Sequence, residues 1–192
     1  MTAYTRQTAP TQFVEANGIR FAYRRFGKSG GVPLVFNQHL TGTMDHWDPA
    51  VTDGLARDRD VILFNNAGVS SSSGEVPTTV QVMGADAVAF ITALGLPKVD
   101  VLGFSIGGFI AQEIVLQAPD LVRRLVLVGT GPRSGEGFAA RFPVRPVINV
   151  LQRYVQTSIE TRGSGDPICM VPTDFEAVPL IQRHMAGLLA SI

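Results

Sequence analysis

Short apolar runs alternate with segments of helical periodicity over the first two thirds of the chain. Buried strands are predicted where these runs are bounded by Gly, Pro or polar residues, at Leu34–Phe36, Val61–Phe64, Val99–Phe104 and Leu125–Val128. One helical face is predicted from Val80, Met83, Ala87, Phe90, Ile91 and Leu94. A second helix is predicted over Ile106–Ala118, before Pro119. Strands that alternate with helices favour parallel pairing in a doubly wound sheet.

Turn and cap residues add two elements to this pattern. Asn17 and Gly18 separate the strand-like segments 13–16 and 19–26, and this dipeptide favours the positive φ angles of a type I′ hairpin. Asp48 followed by Pro49 is a typical helix start, with the carboxylate as N-cap and proline at the first helical position. The fold class predicted from the pattern is therefore α/β, with a mostly parallel sheet.

The character of the sequence changes after Pro132. Residues 133–192 are rich in proline and contain no comparable strand, although segments 145–158 and 180–192 have helical character. We therefore expect a core over residues 1–132 and a different unit over residues 133–192.

Composition and charge argue against several classes of partner and location. Sixteen basic and sixteen acidic residues cancel, so nothing indicates a nucleic-acid partner. Only 17% of residues are charged, and no apolar stretch is long enough to span a bilayer, so we expect no membrane association. The polar segment Met1–Pro10 and the single Cys169 favour a cytoplasmic location. No metal-ligand spacing occurs, and we expect neither a metal nor a cofactor.

Candidate chemistry is concentrated at Ser105. The segment Gly103–Gly107 reads Gly-Phe-Ser-Ile-Gly and lies between a predicted strand and a predicted helix, which is the context of a nucleophile elbow. A serine on such a turn sits in a strained conformation, and a Cβ at Gly103 or Gly107 would collide, because the residues two before and two after the serine approach each other. The backbone N–H of Ile106 would lie at the helix N-terminus, where it can bind a developing oxyanion.

Several blocks in order resemble the α/β-hydrolase family over about Phe13 to Pro132. The elbow is one, and the others follow the predicted third, fourth and sixth strands, at Asn37–Trp47, Phe64–Ser70 and Leu121–Pro132. The resemblance implies a serine nucleophile that transfers an acyl group to water through a tetrahedral intermediate. It also implies a small-molecule substrate and, for residues 133–192, the start of a helical cap.

The resemblance assigns further site residues in the block 37–47. The family's loop usually begins His-Gly-x, and here Leu40 follows His39 in place of glycine. The second oxyanion donor is expected to be the backbone N–H of Thr41, with that of Leu40 in reserve. His39, Leu40 and Trp47 are the candidate pocket residues, and His39 is expected to brace the loop rather than to carry a proton.

The acid and the base of a triad are not recognised in this chain. The family places both after Ser105. His184 is the only histidine that follows Ser105, and it lies in a predicted cap helix where a packed or solvated role is expected. We therefore expect truncation at the C-terminus, with an exposed edge on the sixth strand that makes the chain marginally stable or homo-oligomeric.

Two alternatives to a working hydrolase remain open at this point. The first is a catalytically impaired, truncated hydrolase that retains only small-molecule binding. The second, more distant one is a short-chain dehydrogenase, whose Asn-Asn-Ala-Gly string occurs at residues 65–68. That alternative lacks the Tyr-x-x-x-Lys pair, and its early Gly-rich loop precedes a strand rather than a helix.

Overall fold

The computed structural model describes residues 4–40 and 42–132 of the chain. The described strands are β1 (Gln12–Ala16), β2 (Ile19–Gly27), β3 (Leu34–Asn37), β4 (Asp60–Phe64), β5 (Val99–Phe104) and β6 (Val122–Val128). The described helices are α1 (Pro49–Ala56), α2 (Val80–Ala93) and α3 (Ile106–Gln117). Every element that the sequence pattern predicted before residue 132 is present, and β6 begins three residues earlier than its apolar run.

The strands form one sheet in the order β1-β2-β4-β3-β5-β6. The β1–β2 and β2–β4 pairs are antiparallel, whereas β3 pairs in parallel with β4 and β5, and β5 with β6. Asn17 and Gly18 have φ angles of 50° and 76°, which confirms the hairpin turn. The predicted α/β class with a mostly parallel sheet is therefore confirmed.

Two helix starts follow from capping side chains. Asp48 accepts a hydrogen bond from the N–H of Ala50 at 2.7 Å, with Pro49 at the first helical position of α1. Thr79 caps α2 by accepting from the N–H of Val82 at 3.3 Å. These contacts fix where each helix leaves the loop before it.

Helices cover both faces of the sheet. On one face, α1 packs against a cluster that includes Phe36, Trp47 and Leu102. On the other face, α2 and α3 cover a second cluster that includes Val35 and Phe90. The strands β3, β4 and β5 are buried on both faces, as their continuous apolar runs predict.

A buried ion-pair cluster lies near the amino end of β5, away from the elbow. Asp100 is 1% exposed and accepts hydrogen bonds from Arg59 at 2.8 Å and from Arg123 at 2.6 Å and 2.9 Å. Arg123 belongs to β6, so the cluster ties the edge strand to its neighbour. No helix in the described residues is long and apolar enough to cross a membrane.

Candidate functional site

Ser105 lies on a tight turn between β5 and α3, at the carboxyl end of the parallel strands. Its φ and ψ angles are 56° and −120°, a conformation that non-glycine residues rarely adopt. The N–H of Ser105 donates to the carbonyl oxygen of Val128 at 3.0 Å, which anchors the turn to β6. The side chain makes no capping hydrogen bond to α3, so local helix capping does not occupy its hydroxyl group. The hydrogen bond to Val128 therefore helps to keep Ser105 in its unusual backbone conformation.

The glycines on either side of Ser105 allow this turn to pack tightly. A Cβ on Gly103 would lie 2.6 Å from the carbonyl carbon of Gly107, which confirms the predicted close approach for that residue. A Cβ at Gly107 would also collide, as predicted, and its nearest contacts are at the end of β3. That Cβ would meet the backbone of Asn37 and Gln38, at 2.5 Å from the carbonyl carbon of Asn37. The elbow is thus wedged against the end of β3.

Gly108 contributes a third close contact that sequence reasoning missed. A Cβ on Gly108 would lie 2.5 Å from the Cβ of Thr130, in the segment that leaves β6. The Gly-Gly pair at positions 107 and 108 was the available signal, but the sequence does not identify the partner. Glycine at this position lets β6 and its exit approach the first turn of α3.

The first turn of α3 contains Ile106, whose backbone N–H is the predicted oxyanion donor. Ile106 is the first residue of α3, and backbone N–H groups in a first helical turn have no partner within their helix. The macrodipole places partial positive charge at the same end. This position suits an N–H donor to an oxyanion formed at Ser105.

The loop between β3 and α1 carries the other predicted site residues. The N–H of Gly42 donates to the carbonyl oxygen of His39 at 3.0 Å, and the side chain of Leu40 is 51% exposed. Thr41, the preferred second donor, lies outside the described residues. This loop also contacts the elbow, because the carbonyl oxygens of Asn37 and Gln38 flank Gly107.

His39 packs between the loop and the elbow. Its ring stacks on His46 with centroids 6.0 Å apart and meets Phe104 edge-on at 5.9 Å. Burial, followed by the proximity of His46, lowers the pKa of His39. The ring is therefore neutral near pH 7 and adjoins the residue that precedes Ser105, an arrangement compatible with the expected bracing role.

Trp47 is buried rather than open to solvent. It is 9% exposed, and its ring packs edge-on against Phe36 at 4.8 Å and lies 6.3 Å from Phe104. Phe104 therefore contacts both His39 and Trp47, so the structure gathers two of the three candidate pocket residues around one ring. Leu40 lies at the exposed end of the same loop.

Two side-chain contacts at the end of β4 were not anticipated. Oδ1 of Asn65 accepts a hydrogen bond from the N–H of Met44 at 2.8 Å. Nε2 of Gln38 donates to the carbonyl oxygen of Phe64 at 2.9 Å. Both hydrogen bonds are buried. The sequence offered only the Asn-Asn-Ala-Gly string as a signal, and that string suggested a different family.

Other predictions concern residues outside the described ranges. They are the cap over residues 133–192, the role of His184 and the environment of Cys169. Each of them stays a prediction.

Comparisons with known proteins identify relatives of the chain. A family model described as alpha/beta hydrolase fold matches residues 32–164. The protein named "Putative carbamate hydrolase RutD" from Azorhizobium caulinodans is 33% identical over 164 residues, which cover 83% of this chain and 59% of that protein.

Two solved structures share the fold. The alpha/beta hydrolase fold protein from Chitinophaga pinensis is 50% identical, with a TM-score of 0.66, over 67% of this chain and 47% of its own. Est816, described as an N-acyl homoserine lactone degrading enzyme, is 28% identical, with a TM-score of 0.58, over 66% of this chain and 48% of its own. The chain spans about half the length of the first curated relatives it matches, 52% and 59%.

Proposed function

The chain belongs to the α/β-hydrolase fold family, and from this premise we propose that it carries the nucleophile and the oxyanion donors of a hydrolase acting on small acyl substrates. The dehydrogenase alternative is excluded by the family match, because residues 65–68 fall within the matched range 32–164. The observation that carries the proposal is the strained backbone of Ser105 on a turn wedged against β3.

Ser105 is proposed as the nucleophile. Its Oγ attacks the acyl carbonyl carbon of the substrate, forms a C–O bond and pushes the carbonyl π electrons onto oxygen. The resulting tetrahedral intermediate expels the alcohol, thiol or carbanion leaving group, which takes up the proton lost by the serine hydroxyl. A water molecule then adds its oxygen to the acyl carbon, the C–Oγ bond breaks, and one proton of the water returns to Oγ. The leaving group and the acid are the two products.

Two backbone N–H groups are proposed to stabilise the negative charge. That of Ile106 points from the start of α3, and that of Thr41, or of Leu40 in reserve, comes from the β3–α1 loop. Fixed donors of this kind act most strongly on charge that develops in the transition state. The wedge of Gly107 against Asn37 supports the proposal, because it joins the two donor-bearing segments.

The proton acceptor for Ser105 is not assigned among the described residues. His39 and His46 stack on each other, and Nδ1 of His46 accepts from the N–H of Thr43 at 3.0 Å. His184, the only histidine after Ser105, lies outside the described part, and the packed or solvated role expected for it stays a prediction. The proposed substrates are esters, thioesters or cleavable diketones, and the lactone and carbamate in the names of two relatives are also acyl compounds. No cofactor is required for this chemistry, and the cytoplasmic location stays a prediction.

A second candidate function is small-molecule binding without turnover. In this alternative Ser105 has no proton acceptor, and among residues 4–40 and 42–132 no hydrogen bond joins Ser105 to a histidine. An unassisted serine hydroxyl is a weak nucleophile, although oxyanion donors alone retain some rate enhancement.

Hydrolysis of an aryl ester by the purified full chain separates the two functions. We expect turnover that falls by about 10³-fold or more in Ser105→Ala. Ser29→Ala, in an exposed loop, is the matched control and keeps wild-type turnover. Equal turnover by both variants would contradict the nucleophile proposal. Binding of the ester without release of product would favour the second function.

A further inference from the structure

Two buried hydrogen bonds connect the end of β4 to the β3–α1 loop on either side of its donor segment. Gln38 donates to the carbonyl oxygen of Phe64 at 2.9 Å, before the segment. The N–H of Met44 donates to Oδ1 of Asn65 at 2.8 Å, after it. Residues 39–43 include both candidates for the second oxyanion donor, Thr41 and Leu40. In the sequence they are flanked by two points, Gln38 and Met44, that bond to the consecutive residues Phe64 and Asn65.

Asn65 is itself held rigidly. It is fully buried, and its backbone N–H donates to the carbonyl oxygen of Ala22 at 2.9 Å. Its carbonyl oxygen accepts from the hydroxyl of Ser72 at 2.8 Å, and its Nδ2 donates to the hydroxyl of Ser71 at 3.2 Å. With Nδ2 directed at Ser71, Oδ1 is left to accept from Met44. The loop is therefore attached to a fixed point of the sheet.

The segment next to Met44 depends on such anchors because it has no helix or strand of its own. The N–H of Thr43 donates to Nδ1 of His46 at 3.0 Å, and Nη1 of Arg6 donates to the carbonyl oxygen of Asp45 at 2.7 Å. These contacts lie at the surface or half-buried, whereas the Asn65 contact is buried. A buried hydrogen bond whose acceptor is removed leaves an unsatisfied N–H, which is costly.

We infer that Asn65 is a positioning residue, which holds the β3–α1 loop and its oxyanion donor in place against the elbow. The catalytic consequence rests on the proposed function, whereas the structural one does not. Asn65 acts through the backbone at Met44 rather than on substrate. It is also a cleaner probe than Gln38, since the backbone of Gln38 already contacts the elbow at Gly107.

Three variants of the full chain test the inference in aryl-ester hydrolysis. Asn65→Ala removes the acceptor for Met44, and we expect kcat to fall by about 10- to 100-fold with little change in KM, because donor placement affects the transition state more than the ground state. Asn65→Asp keeps an acceptor and should restore most of kcat, although it introduces a buried charge. Ser73→Ala is the control, because Ser73 lies in the same β4–α2 loop but its hydroxyl accepts from the N–H of Arg20 and is hydrogen-bonded to neither Asn65 nor the β3–α1 loop, so this variant should keep wild-type kcat.

Amide hydrogen exchange over residues 42–47 provides a readout that does not depend on activity. We expect faster exchange there in Asn65→Ala, and exchange close to wild type in Ser73→Ala and Asn65→Asp. If the wild-type chain hydrolyses no ester, the proposed function fails, while faster exchange in Asn65→Ala still supports the positioning role. Unchanged exchange in Asn65→Ala, or an equal loss of kcat in Asn65→Ala and Ser73→Ala, would overturn the inference.

Discussion

The backbone carbonyl of Asn37, at the end of β3, occupies the space that a side chain on Gly107 would need. Asn37 also pairs with Gly103 across the sheet, so the end of β3 contacts both glycines of the elbow sequence. The loop that follows Asn37 carries one proposed oxyanion donor, and the helix that contains Gly107 carries the other. The two segments that carry the proposed donors are therefore in close backbone contact where Asn37 meets Gly107.

Adding a methyl group at Gly107 should disrupt this contact. In Gly107→Ala, β3 and α3 must separate, and overpacking of this kind costs about 1–3 kcal/mol of unfolding free energy. Gly54→Ala is the matched control, because a Cβ at Gly54 meets nothing within 4 Å on the exposed side of α1. The control should be neutral or stabilising, by up to about 1 kcal/mol. Urea unfolding of both variants checks this, and equal stabilities would contradict the wedge.

The Asp100 cluster predicts acid-sensitive stability. Burial raises the pKa of Asp100, but hydrogen bonds from Arg123 and Arg59 outweigh it, so the net pKa lies below the usual value. Because the folded-state pKa is lowered, the stabilisation is fully present above the unfolded pKa of about 3.9 and is lost as the pH falls through the folded-state value.

Asn substitution tests this cluster. Asp100→Asn should lower the unfolding free energy at pH 7 by about 1–3 kcal/mol, since it weakens buried, charge-assisted hydrogen bonds to two arginines that are themselves partly exposed. The difference from wild type should shrink below about pH 4, where the unfolded carboxylate protonates. Asp120→Asn, at an exposed position, is the control. A difference that stays constant down to pH 3 would argue against the cluster as its source.

His39 predicts a second pH dependence of stability, in which protonation adds a charge to a buried ring instead of removing one from a carboxylate. Burial and the neighbouring His46 lower the pKa of His39, so the unfolded chain binds its proton more readily than the folded chain. Stability is therefore lost as the pH falls below the unfolded value of about 6.5. His39→Gln should show a flatter dependence of unfolding free energy between pH 7 and pH 5. Parallel curves for the two proteins would show that His39 does not contribute.

The outer edge of β6 predicts self-association. In the described part of the chain, β6 is the last strand of the sheet, with Leu125 and Leu127 exposed by 36% and 41%. Unpaired, apolar edges promote pairing between copies. Replacing both leucines with lysine should lower the mass measured by light scattering, whereas lysines at the exposed Val76 and Val82 should not. A monomeric, thermally robust wild-type chain would refute this expectation.

Much of the core was predictable because the apolar residues on the buried face of a helix recur at a regular spacing in the sequence. Val80, Ala87 and Phe90 recur at helical spacing and lie on the face of α2 that packs on the sheet. The hairpin was equally predictable, because Asn17 and Gly18 tolerate a backbone conformation that few residues adopt. In both cases the determining interactions are local in sequence.

The packing around the elbow was less predictable, because its partners are distant in sequence. The spacing of Gly103 and Gly107 indicated a tight turn, but nothing near Gly107 identifies Asn37 as its neighbour. Asn65 is a stronger example, since its contact with Met44 spans 21 residues and joins two irregular loops. The local pattern around Asn65 even matched an unrelated family. Such contacts depend on the strand order, which the pattern alone does not determine.

Covalent labelling of Ser105 is the most direct test of the proposed function. The folded full chain is treated with a fluorophosphonate probe, and the modified residue is located by mass spectrometry of the digested protein. We predict a single adduct on Ser105 that is absent in Ser105→Ala and retained in Ser29→Ala. An unlabelled Ser105 in a chain whose fold is verified by circular dichroism, or an adduct at another residue alone, would contradict the assignment of Ser105 as the nucleophile.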